Sequence, residues 1–179
     1  MKIIGIIPAR YKSKRLPGKP LIKINKKPLI QLTYDAVNQS KLFDSVFITT
    51  ESKKIQSLAV SFGANCILTS DKNINGTERC AELITKLSSK IDDKDLIINI
   101  QCDEPFIQKN HLEKIINLFK RNTQIGTLIS PIKTTEYNNS SVVKLTIDNN
   151  KHAIDFGRKI SSFKTNNERF FHQGQGFDL

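Results

Sequence analysis

The chain has 179 residues, enough for one domain with a sizeable core. Its apolar fraction of 38% is low for a globular chain but not that of a disordered one. The net charge of +11 raises nucleic acid as a partner, yet the cations are spread over nearly every element beside abundant Asn, and no nucleic-acid signature accompanies them.

Cys66, Cys80 and Cys102 form no C-x-x-C pair, which argues against a disulfide scaffold or a zinc site. The opening run from Lys2 to Pro8 is too short for a signal peptide, and no run approaches the ~18 apolar residues of a membrane span. These features lead us to expect a soluble, cytoplasmic protein without a membrane partner.

In chain order, Ile3 to Ile7 reads as a buried strand. The loop after it carries Arg10, Lys12, Lys14, Arg15 and Lys19 with no acidic residue, and its prolines and Gly18 break any helix. A cationic loop at the carboxyl end of a first strand suits a small polyanion such as a nucleoside triphosphate. A plain solvated basic loop is the alternative. Neither G-x-x-x-x-G-K-[ST] nor G-x-G-x-x-G is present. A turn at Asn25 to Lys27 precedes a helix with Pro28 at its first position, running to about Gln39. Ser45 to Thr50 is the second strand, and Ser52 caps the next helix, which stops at Gly63. Asn65 to Thr69 is the third strand. A helix spans about Thr77 to Lys90, with Thr77 as its plain cap or its amide groups facing a ligand.

Asp95 to Gln101 reads as a central strand covered on both faces. Asp103-Glu104-Pro105 follows it, either as the acidic first turn of a helix or, with Asp103, as an anchor for Mg²⁺ on a triphosphate. His111 to Arg121 is helical, and Gly126 to Ile132 and Val142 to Ile147 are two further strands. Alternating strands and helices predict a doubly wound α/β domain with a mostly parallel sheet. We read residues 1–179 as a single domain, with residues 161–179 unassigned. His111, His152 and His172 lack partners at metal or triad spacing and read as structural or solvent residues, His111 as an exposed one.

Three motifs then carry a resemblance. Ile7 to Leu21 resembles the signature of the nucleotide-sugar cytidylyltransferases, nearest the CMP-Kdo synthetase (3-deoxy-manno-octulosonate cytidylyltransferase) family. Asn75-Gly76-Thr77-Glu78-Arg79 resembles that family's S-G-T-E-R segment, and Asn99 to Pro105 its N-V-Q-G-D-E-P segment. The resemblance runs from Met1 to about Arg158. It implies a nucleotide-diphospho-sugar transferase-like, Rossmann-like fold. It also implies Mg²⁺-dependent cytidylyl transfer from CTP to the acidic sugar Kdo, releasing pyrophosphate and feeding lipopolysaccharide biosynthesis. Arg10, Arg15 and Lys19 would hold the triphosphate, with Pro8 and Ala9 against the nucleoside. Thr77, Glu78, Arg79 and Gln101 would contact substrate, and Asp103 would bind Mg²⁺. Lys144, in Val142-Val143-Lys144, resembles a family A-V-K-V segment and would reach the ligand or face solvent.

The sequence departs from the family pattern at several points. Cys102 replaces glycine, where its side chain is expected to crowd the backbone beside Asp103. Glu51 replaces aspartate after Thr50. Asp155 to Arg158 and Phe171 to Phe177 match family segments loosely. The family pattern continues past Leu179 with a V-D-T-P-like motif holding a second metal aspartate and much of a homodimer interface; Asp178, lacking those neighbours, reads as a tail residue. The resemblance therefore implies a short member of the family. A sialic-acid-like acceptor, or a catalytically silent nucleotide-binding domain, remains an alternative.

Overall fold

The structure, a computed structural model, describes residues 1–12, 16–119, 123–159 and 171–173. They fall into two compact units, Met1–Glu113 and Lys114–Leu179.

In the first unit, strand β1 (Ile3–Ala9) is an apolar run buried from Ile4 onward. A small hairpin follows, β2 (Lys23–Ile24) with β3 (Lys27–Pro28). Asn25 and Lys26 turn it with φ of 49° and 70°, the left-handed pair that a tight two-residue hairpin turn requires. Helix α1 (Leu29–Gln39) buries Leu29, Ile30, Thr33, Tyr34 and Val37. Pro28 sits just outside it at the cap, one place earlier than the sequence suggested. Strand β4 (Ser45–Thr50), helix α2 (Lys53–Ser61), strand β5 (Asn65–Leu68), helix α3 (Gly76–Lys86) and strand β6 (Leu96–Asn99) complete the alternation. Ser52 caps α2 by accepting from the Ile55 amide, and Gly63, at φ 83°, carries the chain out of it.

The sheet is parallel throughout, in the order β5-β4-β1-β6. The chain moves outward from β1 to β5, then returns to place β6 on the other side of β1. The switch point, where ligand crevices open in such sheets, therefore lies between the carboxyl ends of β1 and β6. Right-handed crossovers put α3 on the face opposite α1 and α2. There Cys80 and Leu83 of α3 pack on Ile4 and Ile6 of β1.

Helix α4 (Lys109–Phe119) follows β6. His111 is buried, not exposed as the sequence reading had it. Its Nδ1 accepts the Gln108 amide at 3.1 Å, so the ring closes the open end of α4.

In the second unit, β7 (Ile129–Pro131), β8 (Lys144–Ile147), β9 (Ala153–Gly157) and β10 (Phe171–Gln173) form an antiparallel sheet in the order β7-β10-β8-β9. The sequence suggested the first two of these strands. It gave no firm sign of β9, whose alternating apolar side chains, Ile154 and Phe156, are exposed. Leu145 and Thr146 are fully buried. The β8–β9 turn is closed by Asp148, which accepts the Asn150 and His152 amides at 2.9 and 2.7 Å. His152 faces that same carboxylate, as a turn residue.

Candidate active site

The site gathers at the switch point. β1 ends on Pro8 and Ala9, both buried, and delivers Arg10 to its carboxyl edge. The Arg10 Nη1 donates to the Ile74 carbonyl at 2.7 Å, which ties the loop to the segment entering α3. The Gly18 amide donates to the Tyr11 carbonyl at 2.8 Å, so the two ends of the cationic loop close on each other. Gly18 does this at φ 69°, which a side chain would strain. Lys19 follows and forms an ion pair with Asp103, from the loop after β6. Both side chains are a little over one-third exposed. Arg15, with Ser13 and Lys14, lies outside the described residues.

The Asp103 loop is a turn that ends well before α4, so the alternative of an acidic first helical turn does not hold. Thr33 of α1 donates its hydroxyl to the Cys102 carbonyl at 2.9 Å, which fixes the turn from below. Cys102 has no positive φ, so the family's glycine is not needed here for backbone reasons. Burial and the neighbouring Asp103 charge push its thiol up to about 12, leaving it neutral and unsuited to nucleophilic work. Burial and the same charge raise the Glu104 carboxyl to about 7. Gln101 is exposed at the mouth of this loop.

The Asn75–Arg79 segment divides its roles in an unforeseen way. Asn75, not Thr77, caps α3: its Oδ1 accepts the Glu78 amide at 2.8 Å. Glu78 reaches back past the cap to accept the Ile74 amide at 2.9 Å and the Asn75 side-chain amide at 3.2 Å, fastening the entry to α3. Arg79 is fully buried, with Nη1 donating to Thr69 Oγ1 at 2.7 Å and Nη2 standing 3.1 Å from Glu51 Oε2. Glu78 and Arg79 are thus engaged by protein groups; Thr77 and Glu78 are exposed, and Arg79 is buried. Gly76 packs tightly under the site. A Cβ there would stand 3.2 Å from the Pro8 ring, so a side chain would push against the wall of the crevice. The first amides of α3, which lack helical acceptors, consequently open beside Pro8.

Lys144, in the second unit, is neither solvent-facing nor free to donate. It is fully buried, and its ammonium donates to the carbonyls of Asn139, Val142 and Arg158. Three donors meet three main-chain acceptors. Asp178 lies outside the described residues, as do the side chain of His172 and most of the Phe171–Phe177 segment.

Sequence reasoning missed Glu51 and Thr33. Glu51 was noted only as a departure from the family pattern, and nothing near Thr33 marks it. Among the described residues, no cluster of three or more His, Cys, Asp or Glu is placed to hold a metal. No helix among them is long and apolar enough to cross a membrane.

The profile of the cytidylyltransferase family matches residues 4–177. The 3-deoxy-manno-octulosonate cytidylyltransferase of Thermodesulfovibrio yellowstonii is 38% identical over 188 residues, covering 97% of this chain and 74% of that protein. Its namesake from Parabacteroides distasonis is 40% identical over 166 residues, covering 89% of this chain and 64% of that protein. The chain thus spans 64% of the second relative's length, a little under two thirds. Among solved structures, a CMP:2-keto-3-deoxy-manno-octonic acid synthetase complexed with CTP matches with a TM-score of 0.83 at 30% identity, covering 97% of this chain and 72% of that one. The parallel sheet flanked by helices is therefore that of a nucleotidyltransferase fold, and the chain belongs to the cytidylyltransferase family.

Proposed function

We propose that this chain activates Kdo with CTP, giving CMP-Kdo and pyrophosphate. The observation that carries the reading is the meeting of Lys19 and Asp103, from loops 84 positions apart, at the switch point of the sheet. Cations and a carboxylate are thereby brought to one crevice, as a metal-bound triphosphate needs. The relatives named for this reaction, and the CTP-bound relative, support the choice of nucleotide and sugar.

In this reading the first amides of α3, Pro8 and Ala9 receive the nucleoside end of CTP. Arg10, Arg15 and Lys19 hold the phosphates, and Gln101 meets the nucleotide or the sugar acid. The hydroxyl oxygen of the sugar bonds to the α-phosphorus, its proton passing to water, as the bond from that phosphorus to the oxygen bridging to the β-phosphate breaks and pyrophosphate leaves. The cationic side chains offset the charge that builds on the leaving pyrophosphate. Positioning and electrostatics do most of the work in such transfers, which need no triad.

Magnesium fits the residues present. It accepts one or two carboxylates and completes its shell with waters and substrate phosphates, and Asp103 offers a partly exposed carboxylate beside phosphate-binding cations. When bound, the ion would neutralise triphosphate charge.

The test is pyrophosphate release by the chain with CTP, Mg²⁺ and Kdo, with ATP and sialic acid as comparison substrates. Release that requires both CTP and Kdo is expected. Release with sialic acid instead would reassign the acceptor. CTP-induced thermal stabilisation without release would assign a nucleotide-binding domain that does not turn over. The absence of both signals would overturn the reading.

A further inference from the structure

Glu51 is buried at the end of β4, with its side chain 7% exposed. One oxygen, Oε1, accepts the amides of Tyr11 and Lys12 at 2.8 and 3.2 Å. These are the residues that directly follow Arg10. The other oxygen, Oε2, faces the Arg79 guanidinium at 3.1 Å, and Arg79 is held in turn by Thr69 at the end of β5. Thr69 Oγ1 lies 3.0 Å from Thr49 Oγ1. A single carboxylate thus joins the start of the cationic loop, the first turn of α3 and the carboxyl ends of two strands. The ion pair alone would be a poor explanation for a buried Glu and Arg, since such pairs add little over apolar packing. The two loop amides provide a better one. They are backbone donors at a bend, and the carboxylate fixes their direction with charge-assisted hydrogen bonds.

We infer that Glu51 is a positioning residue for nucleotide binding, clamping Tyr11 and Lys12 so that Arg10 is presented to the phosphates, with Arg79 as its counter-charge. This rests on the CTP reading above and deepens it, because it assigns Glu51 and Arg79 a part in phosphate recognition without contact with the ligand.

Three versions of the chain separate a clamp from a scaffold. In Glu51→Met/Arg79→Met both buried charges are replaced by apolar groups of similar length, so the fold is expected to keep its melting temperature while the clamp is lost. In Glu51→Gln/Arg79→Met the amide oxygen can accept the two loop amides again without a charge to balance. Two readouts are taken on each: hydrogen exchange of the Tyr11 and Lys12 amides, and CTP affinity by titration. The expected result for the double Met variant is faster exchange at both amides and CTP binding weakened by about tenfold or more. In the Gln variant both are expected to return to within about threefold of the parent. That variant also serves if the Met pair does not fold. Unchanged CTP affinity with the clamp amides released would overturn the positioning role and leave the CTP reading intact. Lost affinity that Gln does not restore, with its amides protected, would also overturn it. A parent chain that binds no CTP would overturn the CTP reading and this inference together, and exchange would then show Glu51 to be scaffold only.

Discussion

Replacing Lys144 by methionine decides whether this lysine serves the ligand or the fold. The change keeps the length of the side chain and removes its ammonium. In the structure that ammonium donates to the Asn139, Val142 and Arg158 carbonyls. Hydrogen bonds from a charged donor are each worth about 1.5–3 kcal/mol net. Those values already include the dehydration of the donor, and three bonds sharing one ammonium do not add in full. The expected destabilisation is about 3 kcal/mol, near the upper end of what single substitutions produce. For a chain of this size that corresponds to a melting temperature lower by about 6–12 °C. The assay is thermal and urea unfolding followed by circular dichroism, with CTP titration of the folded variant alongside. Stability within ~1 kcal/mol of the parent, combined with lost CTP or Kdo binding, would refute the reasoning. It would mean that the three carbonyls are not what holds the ammonium in place.

The remaining expectations concern the crevice and the titrating groups. Lys19→Ala removes a partly exposed ion pair, so unfolding should shift by under ~1 kcal/mol. Pyrophosphate release should fall by on the order of 10²-fold, since the lysine is placed to meet charge on the phosphates; equal loss of stability and turnover would remove it from the site. Burial holds the Cys102 and Cys80 thiols up near about 12. Both should therefore resist iodoacetamide at pH 8 in the folded chain and react in urea. A thiol that keeps its proton more firmly when folded stabilises the chain fully below its ordinary value. That contribution is lost as pH rises from about 9 towards 12, and Cys80→Ala should flatten that alkaline decline. Glu82 behaves in the opposite sense. Partial burial pushes its carboxyl up, but Lys86, Asn73 and the Ser70 amide more than offset this and hold it at about 2. Its contribution is present above about 4.5 and is lost as pH falls through about 2. Glu82→Gln should lower stability at neutral pH and weaken the acid dependence between those values; an unchanged acid limb would show that the carboxylate is not what orders residues 70–73.

The sequence by itself determined the parallel-sheet strands and the helices of the first unit and their order, though not the small β2–β3 hairpin. Ile3 to Ile7, Val46 to Thr50 and Leu96 to Ile98 are apolar runs that only a covered parallel sheet accommodates, and the intervening helices show their buried stripe. The cationic loop and the Asp103 turn were legible because each follows such a strand, where sheets of this kind place ligand loops. What the sequence left open is instructive at Glu78 and Arg79. They are adjacent in the chain, yet one reaches back to the Ile74 amide ahead of α3 and the other lies buried against Glu51. Strand β9 escaped notice because it is short and its alternating apolar pair, Ile154 and Phe156, lies exposed and builds no core. Cys102 read as an obstacle to close approach beside Asp103; its backbone stays out of the left-handed region, so conformation alone does not demand glycine there. Lys144 read as a ligand contact or a solvent residue, and its ammonium is spent on main-chain carbonyls instead. Periodicity and turn chemistry are local properties, recorded over a few residues. The partner of a charged side chain is set by which loops the sheet order brings together. Only the tertiary structure could show that Lys19 meets Asp103 and that Glu51 takes hold of the loop behind Arg10.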